Sequence, residues 1–137
     1  MRRLLATLAL TVIALLPAAA RPRVVSINMC TDQLLLALAD PDQILGLSYL
    51  AREPSLSWYW REAVGFRSLS GTAEDVLPLR PDLVFSATIL KAPTRTMLRA
   101  TGLRVEEFAS PRTIAEAITQ IERAGALLDQ PARAAAA

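Results

Sequence analysis

Histidine is absent from all 137 residues, and cysteine occurs once, at Cys30. Without an imidazole there is no Ser-His-Asp triad, no Cys-His pair, no histidine-ligated metal and no histidine proton shuttle. A single thiol permits no intramolecular disulfide and no cysteine-built zinc site. Lysine is nearly as scarce, since Lys91 is the only one among 15 basic residues. Aromatic residues make up 5% and charged residues 20%, with a net charge of +2. Arg2 and Arg3 fall in a segment read below as an export signal, and the remaining charges balance. No Lys/Arg cluster follows, so no nucleic-acid partner is expected. Apolar residues dominate instead, at 53%. That is too apolar for a disordered tail. The length suits one domain or a piece of a larger protein.

The first residues read as an address. Met1-Arg2-Arg3 is a positive start, residues 4–16 are apolar except for Thr7 and Thr11, Pro17 breaks the run, and Ala18-Ala19-Ala20 offers small residues for cleavage. This is a signal-peptide pattern over residues 1–20. Its apolar run would cover about 20 Å as a helix, short of the ~30 Å hydrocarbon core. The chain is expected to be exported to the periplasm with a mature start at Arg21.

Downstream, short β-branched runs alternate with helical patterns. Strands are predicted over 23–27, 44–49, 83–86 and 103–108. Residues 28–30 read as a turn, with Asn28 or Thr31 capping a nearly all-apolar helix over 32–39. Ser55 is expected to open a short helix through Trp60, and residues 64–71 look irregular. Thr72 with Asp75 reads as a capping box for a helix that Pro78 cuts. A helix over 93–101 has Pro at its start and Gly102 beyond its end. Thr113 with Glu116 forms a second capping box, and Ile114, Ala117, Ile118, Ile121, Gly125 and Leu128 share one face of a helix over 113–129. Pro131 starts another. Alternating strands and helices imply an α/β fold: a three-layer βα lobe with a mostly parallel four-stranded sheet, followed by a long linking helix. Ligands of such sheets lie beyond the carboxyl ends of the strands.

Residues 23–34 (RVVSINMCTDQL) resemble the opening strand and ligand loop of class III periplasmic solute-binding proteins. These serve ABC importers of vitamin B12, ferric siderophores and haem. Residues 44–49 (ILGLSY) are similar to that family's second strand. Residues 74–85 (EDVLPLRPDLVF) match its E-x-(I/V)-L-A-L-(K/R)-P-D-L-V segment, and the helix from Thr113 looks like the backbone helix joining two lobes. The resemblance implies an amino-terminal lobe over 21–110, an interlobe helix and truncated end over 111–137, and a second lobe that this chain lacks.

It also implies no catalysis, no cofactor and no bound metal ion of the protein's own. It places Asn28, Met29, Cys30 and Thr31 in the first ligand loop. The aromatic and apolar group Tyr49, Leu50, Trp58, Tyr59 and Trp60 suits the wall of a flat metal-chelate ligand. Phe66, Arg67 and Ser70 lie in the loop that lines the family's cleft, and Thr88, with Lys91, follows the third predicted strand. Glu74 matches the carboxylate that docks on the permease subunit of the transporter, and adjacent Asp75 could share that role. Each has a plainer reading as a cap, a core side chain or a solvated charge. Two other functions stay open on the residues alone. One is a small exported α/β enzyme using a Cys30 thiolate at a strand-to-helix turn. The other is a non-binding remnant or interaction module, stable but without ligand.

Overall fold

The computed structural model describes residues 20–89 and 91–137. Residues 1–19 of the expected export signal lie outside the described residues. Among those described, no helix is long and apolar enough to cross a membrane.

The strands are β1 (Val24–Ser26), β2 (Ile44–Ser48), β3 (Ser68–Leu69), β4 (Leu83–Ala87) and β5 (Val105–Phe108). The helices are α1 (Met29–Leu38), α2 (Trp60–Ala63), α3 (Ala73–Val76), α4 (Ala92–Ala100), α5 (Ile114–Leu127) and α6 (Pro131–Ala135). All pairings are parallel, and the sheet runs in the order β3-β2-β1-β4-β5. The sheet therefore has five strands, not four. The extra one is the two-residue edge strand β3, placed in the stretch read as irregular, where Leu47 N–H donates to Arg67 O at 2.9 Å.

Strand alternation sends side chains to two faces. Val24, Leu83 and Phe85 pack with Leu35, Leu38, Phe108, Ala124 and Leu128 under α1 and α5. Val25, Val84 and Val105 pack with Leu69, Val76 and Leu98 under α3 and α4. This gives three layers. The opposite edge is β5, where Glu106 and Glu107 face arginines: Arg104 at 2.8 Å and Arg123 on Glu106, and Arg95 at 3.4 Å and Arg99 on Glu107. Such charges discourage strand addition to a free edge.

Several local details differ from expectation. Residues 29–31 are the first turn of α1 rather than a free turn, because the Asn28 side chain accepts the Cys30 N–H at 2.9 Å and starts the helix early. No helix opens at Ser55. A 3₁₀ turn spans Tyr49–Arg52, and α2 begins only at Trp60. Thr72 makes no capping bond. Asp75 instead accepts from the backbone N–H of Ser70 at 2.7 Å and from its hydroxyl, tying the segment before α3 to its first turn. Pro78 does end α3, which passes into a 3₁₀ turn at Leu77–Leu79.

At α5, Thr113 accepts the Glu116 N–H at 3.1 Å, but the Glu116 carboxylate reaches the Arg112 N–H at 2.6 Å rather than the cap residue's own. The amphipathic face is buried at its carboxyl end, through Ala124, Gly125 and Leu128, while Ile114 is 82% exposed. α6 folds back on α5 at Gly125. A Cβ there would lie 2.3 Å from the Ala134 Cβ and 3.1 Å from the Gln130 carbonyl, so the approach needs glycine. Buried Gln43 locks this corner, donating to the Leu128 carbonyl at 2.9 Å and accepting from Gln130 at 3.1 Å.

Candidate functional site

The strand order places a reversal of winding between β1 and β4. Successive units leave β1 toward β2 and β3 on one side, and the chain then crosses back to β4 and β5. The loops part at such a point and open a crevice at the carboxyl ends of the strands. A pocket of about 160 Å³ lies there, lined by Ile27 and Asn28 after β1, Ser48, Tyr49 and Leu50 at and after β2, and Ser86, Ile89 and Lys91 at and after β4.

Its walls are mostly apolar, and Tyr49 stands at its rim, 53% exposed. Lys91 is held in a left-handed backbone conformation at the cap of α4 (φ 51°). Its ammonium donates to the carbonyls of Ser70 at 2.7 Å and Gly71 at 3.2 Å, joining the loop after β3 to the loop after β4.

Beneath the pocket sits a carboxylate that the sequence did not single out. Asp32, in the first turn of α1, is fully buried. Its Oδ1 accepts the Ser48 backbone N–H at 3.0 Å, and its Oδ2 accepts the Ser48 hydroxyl at 2.5 Å. Burial pushes its carboxyl up to about 6, against the pull of the hydrogen bonds from Ser26 and Ser48. Nearby, Ser26 and Thr31 share a hydroxyl hydrogen bond of 2.7 Å, and both hydroxyls reach the Asn28 carbonyl. Serine and threonine hydroxyls thus carry the polar load of a helix start packed against the sheet.

Of the residues expected to contact ligand, Asn28, Tyr49 and Leu50 line this pocket. Thr31 is fully buried in the hydroxyl cluster. Met29 is half-buried at the start of α1, and Cys30 is exposed. Cys30 and Thr31 border a different groove, of about 320 Å³, between α1 and α5. Thr88 is exposed, with its N–H on the Phe108 carbonyl and its own carbonyl accepting from Arg95.

Trp58 and Trp60 line a separate groove with Pro54, Ser57, Arg61 and Glu62. Trp58 is 86% exposed, and the Arg61 guanidinium lies 4.3 Å above the Trp60 ring. Tyr59 is half-buried, and its N–H, like that of Trp58, donates to Gln33. Phe66 packs against the α1-side core, and Arg67 is exposed. Ser70 is exposed and touches the pocket only through Lys91.

Glu74 is exposed on the first turn of α3. Asp75 is half-buried, and its carboxyl is held below the usual range by the Ser70 hydrogen bonds, with Arg67 and Lys91 adding to the effect. Among the described residues no cluster of acidic or cysteine side chains could hold a metal ion.

No family model matches the chain. It is 28% identical over 114 residues, 83% of its length, to a cobalamin-binding protein of Halobacterium salinarum. It spans only 31% of that relative, so the chain corresponds to about a third of the curated relatives it matches. Among solved structures, a periplasmic heme-binding protein from Pseudomonas aeruginosa superposes with a TM-score of 0.71 at 23% identity, covering 85% of this chain and 42% of that one. The periplasmic vitamin B12-binding protein of Vibrio cholerae gives 0.66 at 19% identity, covering 83% and 44%. The heme-binding protein RhuT of Roseiflexus sp. RS-1 gives 0.66 at 21%, covering 84% and 44%. These neighbours are solute-binding proteins rather than enzymes. The fold described above is that of one lobe of the class III periplasmic binding proteins.

Proposed function

We propose that this chain is the amino-terminal lobe of a periplasmic receptor that holds an iron or cobalt chelate (haem, cobalamin or a ferric siderophore) for an ABC importer. The observation that carries this reading is the pocket at the winding reversal, in a chain with the fold of one lobe of heme- and B12-binding proteins. Ile27, Tyr49, Leu50 and Ile89 present apolar surface suited to a flat macrocycle. Asn28, Ser48, Ser86 and Lys91 add the few polar groups that orient a ligand. The pocket is one wall, and a facing surface would complete the cleft.

Absorbance titration of the full chain with haemin and cyanocobalamin tests this. Saturable spectral shifts are expected with at least one of them, and Tyr49→Ala should weaken that binding about tenfold, the low end for losing a large apolar contact. Absence of saturation with either chelate, or equal affinity in the Tyr49 variant, would overturn the assignment to this pocket.

The permease contact in this reading falls to Glu74. Asp75 is engaged by Ser70, whereas Glu74 projects from an exposed turn. One exposed ion pair contributes about 0.2–1 kcal/mol, so it sets orientation and encounter more than affinity. Glu74→Arg should slow association with the permease severalfold at low salt and leave chelate binding unchanged. An association rate equal to that of the parent chain at low salt would remove Glu74 from the docking surface.

A further inference from the structure

We propose that Asp32 is the positioning residue of the pocket, and that its protonation reverses the hydrogen-bond character of the Ser48 hydroxyl in the pocket wall. The inference rests on the binding function proposed above only for the identity of the ligand.

The geometry is a two-point clamp. Asp32 holds Ser48 by its backbone N–H at 3.0 Å and by its hydroxyl at 2.5 Å. Ser48 ends β2 and leads directly into the Tyr49–Arg52 turn, so the clamp fixes where Tyr49 and Leu50 stand relative to Asn28 at the start of α1. An ionised carboxylate only accepts hydrogen bonds. The Ser48 proton then points inward at Asp32, and its oxygen offers lone pairs to the pocket. A protonated Asp32 carries one O–H. Donating it to the Ser48 oxygen frees the serine proton to turn toward a ligand acceptor. One proton bound below the pocket thus converts the wall from acceptor to donor without moving a heavy atom far.

No neighbouring charge is placed to override this carboxyl. The elements packed on α1 are β1, β2, β4, the Tyr49–Arg52 turn and α5. The three strands carry no titratable side chain. In the turn, Tyr49 is exposed and Arg52 donates to the Val64 and Phe66 carbonyls. On α5, Glu116 accepts from Arg112, Arg123 pairs with Glu106, and Glu122 is exposed. Cys30 on α1 is exposed, and Lys91 is occupied by the carbonyls of Ser70 and Gly71. Among the described residues no ion pair reaches Asp32. Its carboxyl is raised to about 6, chiefly by burial, which places the change within a range an exported protein meets.

The test has a ligand-free arm and a ligand arm. In ¹⁵N–¹H spectra of the full chain, the amides of Ser48, Tyr49 and Leu50 should titrate together between pH 4.5 and 7.5. In Asp32→Asn, whose amide group imitates the protonated acid, that titration should vanish. Absence of the transition in the parent chain, or its survival in the variant, overturns the proposal. In the ligand arm, the affinity for cyanocobalamin should change about threefold to tenfold across the same range, the worth of one neutral hydrogen bond. Ser48→Ala should keep the amide titration and lose the ligand dependence. Retained dependence in Ser48→Ala would refute the polarity reversal. Should cyanocobalamin bind at no pH, the assignment of ligand fails while the amide titration still decides the role of Asp32.

Discussion

Raising the pH from 4 to 7 should destabilise this fold through one residue, by about 2 kcal/mol, because Asp32 moves from an ordinary value of 3.8 to about 6 on burial. The folded state binds the proton more tightly than the unfolded chain. The associated stability is therefore fully present below pH 3.8 and lost as the pH rises through about 6. Asp40, Asp75 and Glu107 act in the opposite sense. Their carboxyls are lowered, by Arg133, Ser70 and Arg99 respectively as the leading partners, so they favour the fold above their unfolded values and lose that contribution on acidification. These three carboxylates are half-buried and still reached by solvent, so their effect is partly screened. Asp32→Asn isolates the buried residue. Its amide can still accept the Ser48 N–H and donate to the Ser48 oxygen, so the clamp persists without a charge to bury. Urea unfolding at pH 4, 5, 6 and 7 should show the parent losing stability with pH and the variant flat or rising. Parallel curves for the two proteins would mean that Asp32 does not ionise in a buried site.

The second large effect is expected from Phe85→Ala. Phe85 is fully buried in the middle of β4, with its ring centroid 4.7 Å from that of Phe108 at an interplanar angle of 50°. The pair closes the sheet face beneath α1 and α5, and the Phe85 carbonyl accepts the Ile27 N–H that carries the chain toward Asn28. Removing such a ring costs about 3–5 kcal/mol, through lost transfer energy and the cavity left behind. Against a total of about 5–15 kcal/mol, that is a large share of the stability. Phe85→Leu keeps most of the volume and should cost clearly less. A loss below about 1 kcal/mol for the alanine variant, measured by denaturant midpoint, would mean that this face is open rather than packed.

Much of this molecule is written locally. β1, β2, β4 and β5 follow from β-branched or apolar runs bounded by breakers, and α4 and α5 from Pro93, Gly102 and the Thr113 cap. β3 was not legible. Its two residues, Ser68 and Leu69, have no strand signature and become a strand only by pairing with Leu47 and Ser48. The start of α1 was half legible, because Asn28 and Thr31 both read as caps and the Asn28 bond to the Cys30 N–H decides the register.

Asn28, Tyr49 and Leu50 meet at the pocket because each follows the end of a strand, and position at a strand end is a local property. Trp58 and Trp60 were chosen for ring chemistry, and the chain carries them to another groove. Ser48 and Ser86 look like ordinary strand residues, and nothing near Asp32 in sequence announces a special carboxylate. The one available hint was a lone acid at the head of a helix that is apolar most of the way round.

The order of the four longer strands and of the helices between them, and the absence of histidine chemistry, were thus set by composition and short-range patterning alone. Which strand ends converge, and that a carboxyl in α1 is stripped of water and bound to a serine 16 residues away, was decided by tertiary packing. Backbone preferences depend on neighbours along the chain. Desolvation and the ionisation it controls depend on neighbours in space.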